Sequence, residues 1–177
     1  MPDSQTSQAA WVRDALERYE TPLLRYAQRF TGDLETARDV VQDTFLRLCV
    51  ARRDEIGDYL APWLYRVCRN RALDVMKKER RMQTLAPNDA ETRADERPEP
   101  RAAAQHGELG DALRAALDAL PEAQQEAFRL KFQERLSYKE ISEVTGGSVN
   151  TVRYLIHASL RNLRNELKGR FDLAAEA

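Results

Sequence analysis

Apolar residues recur at intervals of three and four along almost the whole chain, and no stretch shows the strict alternation of a half-buried strand. That spacing places side chains on one face of an α-helix, so it predicts an all-α protein built from amphipathic helices. Only 7 of the 177 residues are glycine, and no glycine-rich loop suited to a nucleotide phosphate is present. The pattern argues against sheet-based folds and for small helical units.

Residues 11–84 are predicted to form a first unit of three or four helices. The first helix is expected to end at Thr31, and Asp33 is placed to cap the second. Residues 51–62 show little pattern and are expected to connect the second helix to a third, which begins after Pro62. Helices of this length can enclose a small apolar core.

Residues 85–108 are predicted to separate this unit from a second one. The segment holds three prolines and six acidic residues but almost no large apolar residue, which is typical of a flexible linker. The helical pattern resumes over residues 109–168, where Pro121 suits the first turn of a helix because it lacks an N–H. The predicted architecture is therefore two small all-α domains joined by an acidic linker.

The second unit contains a short helix, a tight turn and a longer helix. Ser137 and Glu140 stand three residues apart, as in a capping box at a helix start. Gly146 and Gly147 interrupt the pattern, and at least one of them is expected to have a positive φ. Ser148 can cap the helix that follows. This spacing is typical of a helix-turn-helix.

The longer helix is predicted to have an apolar inner face and a polar outer face. The expected inner residues are Val149, Val152, Ile156, Leu160, Leu163 and Leu167. The outer face carries amide, guanidinium, phenol and imidazole groups, which suit base edges near the helix start and phosphates further along, at Arg161 and Arg164. An αα-hairpin with an ordinary solvated face is the alternative interpretation. The candidate DNA-binding residues are Ser148, Asn150, Thr151, Arg153, Tyr154, His157 and Arg161.

Two further surfaces of the first unit are candidates for binding. The segment from Trp63 to Arg81 holds seven basic and two acidic residues, and its aromatic, cationic and amide groups could stack on bases and hold phosphates. The alternative is that Trp63 is half-buried beneath a solvated basic face. The second helix presents a polar face that, by itself, is typical of an ordinary solvent-facing surface.

Composition argues against several functions. Two cysteines and two histidines leave little material for a metal site or a catalytic centre that depends on histidine, so we expect no metal, no other cofactor and no enzyme activity. No apolar run approaches the roughly 18 residues that a membrane span needs, and the first residues lack the features of a signal peptide. These observations predict a cytoplasmic protein without membrane insertion.

Several short motifs follow one another through the two units. They read DVVQDTFLR at Asp39–Arg47, WLYRVCRNRALD at Trp63–Asp74, LPE at Leu120–Glu122, and LSYKEIS at Leu136–Ser142 with TVR at Thr151–Arg153. In this order the chain resembles the extracytoplasmic-function (ECF) sigma factors of the sigma-70 family, the small promoter-recognition subunits of bacterial RNA polymerase. The resemblance covers residues 12–84 and 109–168.

The resemblance implies a function in transcription initiation, in which the chain gives core RNA polymerase its choice of promoter. The implied partners are the β′ clamp helices and β flap of core polymerase and promoter DNA, with an anti-sigma factor as a further candidate. The implied polymerase-binding residues are Asp39, Val40, Gln42, Asp43 and Phe45.

The resemblance also implies that each unit binds a different promoter element. The second unit would read the minus-35 element as duplex DNA, with Arg153 the leading candidate for a base edge. The first would hold the opened minus-10 element, with Asn70 at the pocket for a flipped-out base. The implied minus-10 residues are Tyr59, Trp63, Arg66, Asn70, Lys77 and Arg81.

Two segments depart from the family pattern. Residues 51–62 lack the connector rich in phenylalanine and arginine that many members have, and Tyr154, Leu155 and Ala158 stand where many members have serine and arginine. Fewer phosphate contacts are therefore expected from the second unit.

A stand-alone helix-turn-helix regulator is the alternative function. Such a protein needs tight binding to duplex DNA without polymerase. Residues 109–168 carry nine basic and eight acidic side chains, and this near-neutral balance argues against it, because unaided DNA affinity depends on neutralising phosphates.

Overall fold

The computed structural model describes residues 3–85 and 108–175, with side chains described for residues 8–82 and 110–168. Within these ranges the regular secondary structure is helical and no strand occurs. Apart from its two end residues, which belong to helices, the predicted linker lies outside the described residues. The chain divides into two compact units, which confirms the predicted fold class.

The first helix of the first unit starts before residue 11, where the predicted unit begins. The elements are α1 (Asp3–Thr31), α2 (Leu34–Val50), the short α3 (Arg53–Ile56), one 3₁₀ turn (Gly57–Tyr59) and α4 (Leu60–Leu85).

The core of the first unit lies where α1, α2 and α4 pack together. Leu23 of α1, Leu48 of α2 and Leu64 of α4 are all fully buried. The rings of Tyr26 and Tyr65 meet edge to face, with their centroids 5.1 Å apart. Apolar burial of this kind is the main source of stability in a unit of this size.

Both ends of α2 are closed by side chains. Asp33 is the N-cap, and its Oδ1 accepts a 2.8 Å hydrogen bond from the backbone N–H of Thr36, as predicted. At the other end, Gln8 of α1 donates from Nε2 to the carbonyl oxygens of Ala51, at 3.0 Å, and Leu48, at 3.4 Å. The beginning of α1 thus satisfies carbonyl groups that a helix end leaves without partners.

The predicted connector over residues 51–62 is more regular than its sequence pattern indicated. It contains α3 and the 3₁₀ turn, and α4 already begins at Leu60. Ile56 is buried and anchors the segment, while Gly57 takes a positive φ of 53°. Pro62 does not end the helix because it occupies the first turn, where an N–H has no partner within the helix.

The second unit also consists of four helices within the described residues. They are α5 (Glu108–Asp118), α6 (Glu122–Phe132), α7 (Tyr138–Thr145) and α8 (Val149–Ala175). The helices α5, α6 and α7 each pack against α8. One core cluster joins Ala116, Leu117 and Leu120 to Leu163 of α8, and fully buried Leu130, Ile141 and Ile156 extend the apolar interior.

The corner between α5 and α6 is held by a buried glutamine. Pro121 occupies the N-cap of α6, one position before the predicted first turn. Gln125 donates from Nε2 to the carbonyl oxygens of Leu120, at 2.7 Å, and Asp118, at 3.1 Å. A buried amide with satisfied hydrogen bonds fixes the direction in which the chain enters α6.

Candidate nucleic-acid and polymerase interfaces

The helix-turn-helix of the second unit is formed by α7 and α8. Ser137 and Glu140 form the predicted capping box: Ser137 Oγ accepts from the Glu140 N–H at 3.2 Å, and Glu140 Oε2 accepts from the Ser137 N–H at 2.6 Å. At the other end of α7, Gly146 adopts the left-handed conformation with φ of 75°. Local hydrogen bonds therefore define both ends of this helix.

Short polar side chains fix the turn that leads into α8. Ser142 donates from Oγ to the carbonyl oxygen of Gly147 at 2.6 Å, and the Thr151 N–H donates to Ser148 Oγ at 3.0 Å. The hydroxyl groups of Ser148 and Thr151 lie 2.8 Å apart. Both hydroxyls are exposed, so the same groups that start α8 are available at its surface.

The outer face of α8 is presented to solvent as predicted. Tyr154 is 65% exposed on this face. The other predicted side chains are exposed as well: Asn150, Arg153, His157, Arg161 and Arg164. The structure thus brings an amide, a phenol, an imidazole and three guanidinium groups onto one accessible side of the helix.

The predicted inner face of α8 is wrong at two positions. Val149 is 36% exposed and Leu160 is 40% exposed, whereas Ala158 and Ser159 are buried. Three helices pack against α8 along its length, so its buried side is not one straight stripe. Ser159 remains satisfied there because its Oγ donates to the carbonyl oxygen of Ile156 at 2.8 Å.

A second polar stripe runs along α4. Its basic and amide members are all exposed, and they recur at helical spacing at Arg66, Asn70, Lys77 and Arg81. Trp63 is half-buried, so its ring packs partly against the unit and is partly accessible. Tyr59 lies on the 3₁₀ turn before α4 and is 44% exposed. The turn and the helix together provide two aromatic rings beside a row of donors.

The residues predicted to bind polymerase divide into two groups on α2. Asp39 and Gln42 are exposed. Val40 and Phe45 are only 1% and 6% exposed and belong to the buried residues of α2. A buried side chain cannot contact a partner directly, so Val40 and Phe45 support the surface from below.

Asp43 is intermediate between these groups and is engaged by α4. Its Oδ2 accepts a hydrogen bond from Arg71 Nε at 2.6 Å, and both side chains are a little over one third exposed. This ion pair was not predicted from the sequence, because the two residues are 28 positions apart.

Two exposed apolar residues on α2 were also missed. Leu46 is 57% exposed and Val50 is 83% exposed. They follow Gln42 at intervals of four, which places all three along one side of the helix. The sequence signal that could have identified them is an apolar residue at a helical position that does not belong to the core-facing side of α2. With Asp39 these residues form what we call the α2 surface: Asp39, Gln42, Leu46 and Val50.

Comparison with known proteins gives the family. Two sigma-70 models match the chain, region 2 over residues 15–82 and region 4 over residues 110–163. The ECF RNA polymerase sigma factor SigL of Mycobacterium tuberculosis is 30% identical over 167 residues, which is 92% of either chain. This chain belongs to the ECF sigma factors. The resemblance predicted from the ordered motifs is confirmed.

A second relative and one solved structure are also similar to this sigma factor. The ECF RNA polymerase sigma factor SigE of Mycolicibacterium smegmatis is 31% identical over 164 residues, a match that covers 92% of this chain and 63% of SigE. The solved structure of the sigma factor RpoE from Bartonella quintana, in complex with the anti-sigma factor NepR, has a TM-score of 0.64 at 24% identity and covers 88% of this chain and 96% of that one. The latter similarity concerns the fold.

Neither a metal-holding cluster nor a membrane-spanning helix is found in the described part of the sigma factor. No group of three or more histidine, cysteine or acidic residues there is arranged to hold a metal ion. No helix within it is both long enough and apolar enough to cross a membrane.

Both cysteines are free; Cys49 is exposed and Cys68 is buried. Burial raises the pKa of the Cys68 thiol to about 12, against a smaller lowering by its hydrogen bond with Thr44.

Proposed function

We propose that this sigma factor binds core RNA polymerase and directs it to promoters by contacting the minus-35 element with α8 and the minus-10 element with α4. The observation that carries the proposal is the presence of one exposed face with nucleic-acid-binding chemistry in each unit of a chain that belongs to the ECF sigma factors. The two faces suit different forms of DNA.

The face on α8 suits duplex DNA. An α-helix fits the major groove, where a guanidinium can bind a guanine edge through two hydrogen bonds and an amide can bind adenine. Arg153 and Asn150 lie near the beginning of α8 and are exposed, so they are the leading candidates for base contacts. Arg161 follows Arg153 after about two turns and Arg164 after about three, and both suit phosphates.

The face on α4 suits a separated strand. Aromatic rings stack on any unpaired base, and basic groups hold the backbone. Trp63 and Tyr59 supply the rings, Arg66, Lys77 and Arg81 supply the charges, and Asn70 supplies donors and an acceptor for a base edge. Extruding a base costs a few kcal/mol of stacking, which such contacts can offset.

The α2 surface is the proposed contact with polymerase. Its polar half, Asp39 and Gln42, offers hydrogen-bond groups, and its apolar half, Leu46 and Val50, offers area that contact with a partner would remove from water. Asp43 lies beside this surface. We assign the β′ clamp helices as its partner, and the β flap as a contact of the second unit.

The proposed function is binding and strand capture in the cytoplasm, without covalent chemistry or a cofactor. Residues 109–168 carry nine basic and eight acidic side chains, so phosphate neutralisation gives the second unit of the free protein little affinity for duplex DNA. Polymerase is therefore expected to hold the sigma factor on the promoter. An anti-sigma factor is a candidate partner that would compete for these surfaces.

The proposal is tested by reconstitution. The purified protein is mixed with core polymerase and genomic fragments, and run-off transcripts with defined start points are expected. The variant Asn70→Ala should lose these transcripts while still binding core polymerase, whereas Arg13→Ala, an exposed change on α1, should behave as the wild type. A protein that starts no specific transcript on any fragment, yet binds a duplex site tightly as a dimer, would instead be a stand-alone regulator.

A further inference from the structure

The ion pair between Asp43 and Arg71 joins two helices that have different proposed partners. Arg71 Nε lies 2.6 Å from Asp43 Oδ2. On α2, Asp43 directly follows Gln42 of the α2 surface. On α4, Arg71 directly follows Asn70, the proposed contact for a flipped base. One pair therefore connects the helix that carries the proposed polymerase contact to the helix that carries the proposed minus-10 contact.

The exposure of this pair makes it easy to exchange. The Arg71 side chain is 38% exposed and the Asp43 side chain 39% exposed, so the pair lies at the surface and not in the core. Surface ion pairs add little net stability, because water and salt compete with them. While the pair holds, however, the carboxylate neutralises the guanidinium and reduces its attraction for a nearby phosphate.

We propose that Arg71 is a further phosphate contact for the minus-10 strand. The Asp43 carboxylate compensates the positive charge of Arg71 until polymerase docks. Docking gives Asp43 new hydrogen-bond partners, and the guanidinium is then released beside Asn70. The sigma factor would thus gain affinity for the opened strand when it is bound to polymerase. This inference rests on the proposed function.

The first test uses the isolated full-length protein and a labelled mixed-sequence single-stranded 20-mer, because phosphate contacts do not depend on sequence. We expect Asp43→Asn to raise affinity about five-fold at 50 mM salt and to steepen the dependence of log K on log salt by about 0.7, the value for one added phosphate contact on a single strand. Fluorescence anisotropy over a salt series measures both quantities.

The matched control is Glu35→Gln, which removes one exposed carboxylate from the same helix without touching Arg71. It should change affinity less and leave the slope unchanged. Adding Arg71→Ala to Asp43→Asn should abolish the gain. An equal gain in the control, or a gain that survives loss of the guanidinium, would overturn the proposal.

The second test uses the holoenzyme and the same oligonucleotide. Arg71→Ala should reduce the salt slope by about 0.7, while Arg71→Lys should keep it because the charge remains. A purely structural pair predicts similar losses of thermal stability for Asp43→Ala and Arg71→Ala and no change in slope, which would contradict the proposal. If the wild type forms no initiating holoenzyme, the proposed function fails, whereas the first test still reports on Arg71 by itself.

Discussion

Arg153 is the residue with the clearest expected effect on promoter choice. It is exposed near the start of α8, and a guanidinium that binds a base edge through two hydrogen bonds typically contributes about 1–3 kcal/mol of discrimination. We expect Arg153→Ala to weaken binding to the matched minus-35 duplex by that amount and to flatten preference at one base pair. Holoenzyme binding to single-substituted duplexes measures this.

Arg164→Ala is the matched control for that prediction. Its guanidinium is also exposed on α8 but lies three turns after Arg153, where a phosphate contact is expected. Its loss should weaken binding to all duplexes alike and lower the salt slope by about 1. Unchanged base preference in Arg153→Ala would refute its assignment.

The two cysteines should differ sharply in reactivity. Cys49 is exposed, whereas Cys68 is buried with its pKa raised to about 12, so at pH 8 it is protonated and inaccessible. We expect iodoacetamide to label Cys49 in the native protein and Cys68 only after unfolding, as measured by peptide mass spectrometry. Labelling of both at equal rates in the native protein would contradict the buried position.

The same shift predicts how Cys68 affects stability at high pH. The folded state favours the protonated thiol, since its pKa rises from 9.0 to about 12 on folding. Its contribution is therefore complete below pH 9 and is lost as the pH rises towards 12. Comparing urea unfolding of the wild type with Cys68→Ala across this range separates the thiol from other titrating groups.

Sequence alone predicted which polar residues of α8 face outward, but not which residues of α2 are buried or exposed. The exposed polar residues of α8 follow from helical spacing and composition, which are local. Val40 and Phe45 were assigned to binding from a motif, which carries no information about burial. The pairing of Asp43 with Arg71 depends on how two helices pack, and no local pattern reports that.

At the scale of elements, the two glycines of the helix-turn-helix should respond differently to alanine. Gly146 has a φ of 75°, which costs other residues about 1–2 kcal/mol. A Cβ at Gly147 would lie 3.6 Å or more from its neighbours, and alanine there should be neutral or slightly stabilising. Hydrogen exchange of α7 and α8 amides should therefore speed up in Gly146→Ala alone. Equal exchange in both variants would contradict the left-handed turn.

Helix ends were predictable where their signals are local. Asp33 and the Ser137–Glu140 box cap helices as expected, because capping involves residues three positions apart. The early start of α4 was not predicted, since Pro62 was read as the end of a connector. The 51–59 segment is ordered by burial of Ile56, which is a tertiary contact.

At the scale of the whole molecule, the proposed contact with the β′ clamp helices and the proposed reading of duplex DNA lie in different units, so they should be separable by mutation. Gln42→Ala with Leu46→Ala alters two exposed side chains and should weaken binding to core polymerase at least ten-fold while helix content stays unchanged. Binding to immobilised core polymerase and circular dichroism measure the two effects.

Leu34→Ala serves as the control for this pair, because Leu34 is 40% exposed at the opposite end of α2. It should retain wild-type binding to core polymerase. If the double variant also binds like the wild type, the α2 surface is not the docking site.

The family itself was predictable from the sequence of the whole molecule. Each motif is weak by itself, but the order of the motifs across two units is specific.

The bond from Gln8 to the end of α2 has a practical consequence for handling the protein. Ala51, which accepts that bond, directly precedes the segment that leads to Tyr59. Trimming the chain back to Val12 would remove the amide and also the largely buried ring of Trp11. Shortened versions made for crystallisation should therefore keep this amino-terminal turn if promoter preference is to be studied.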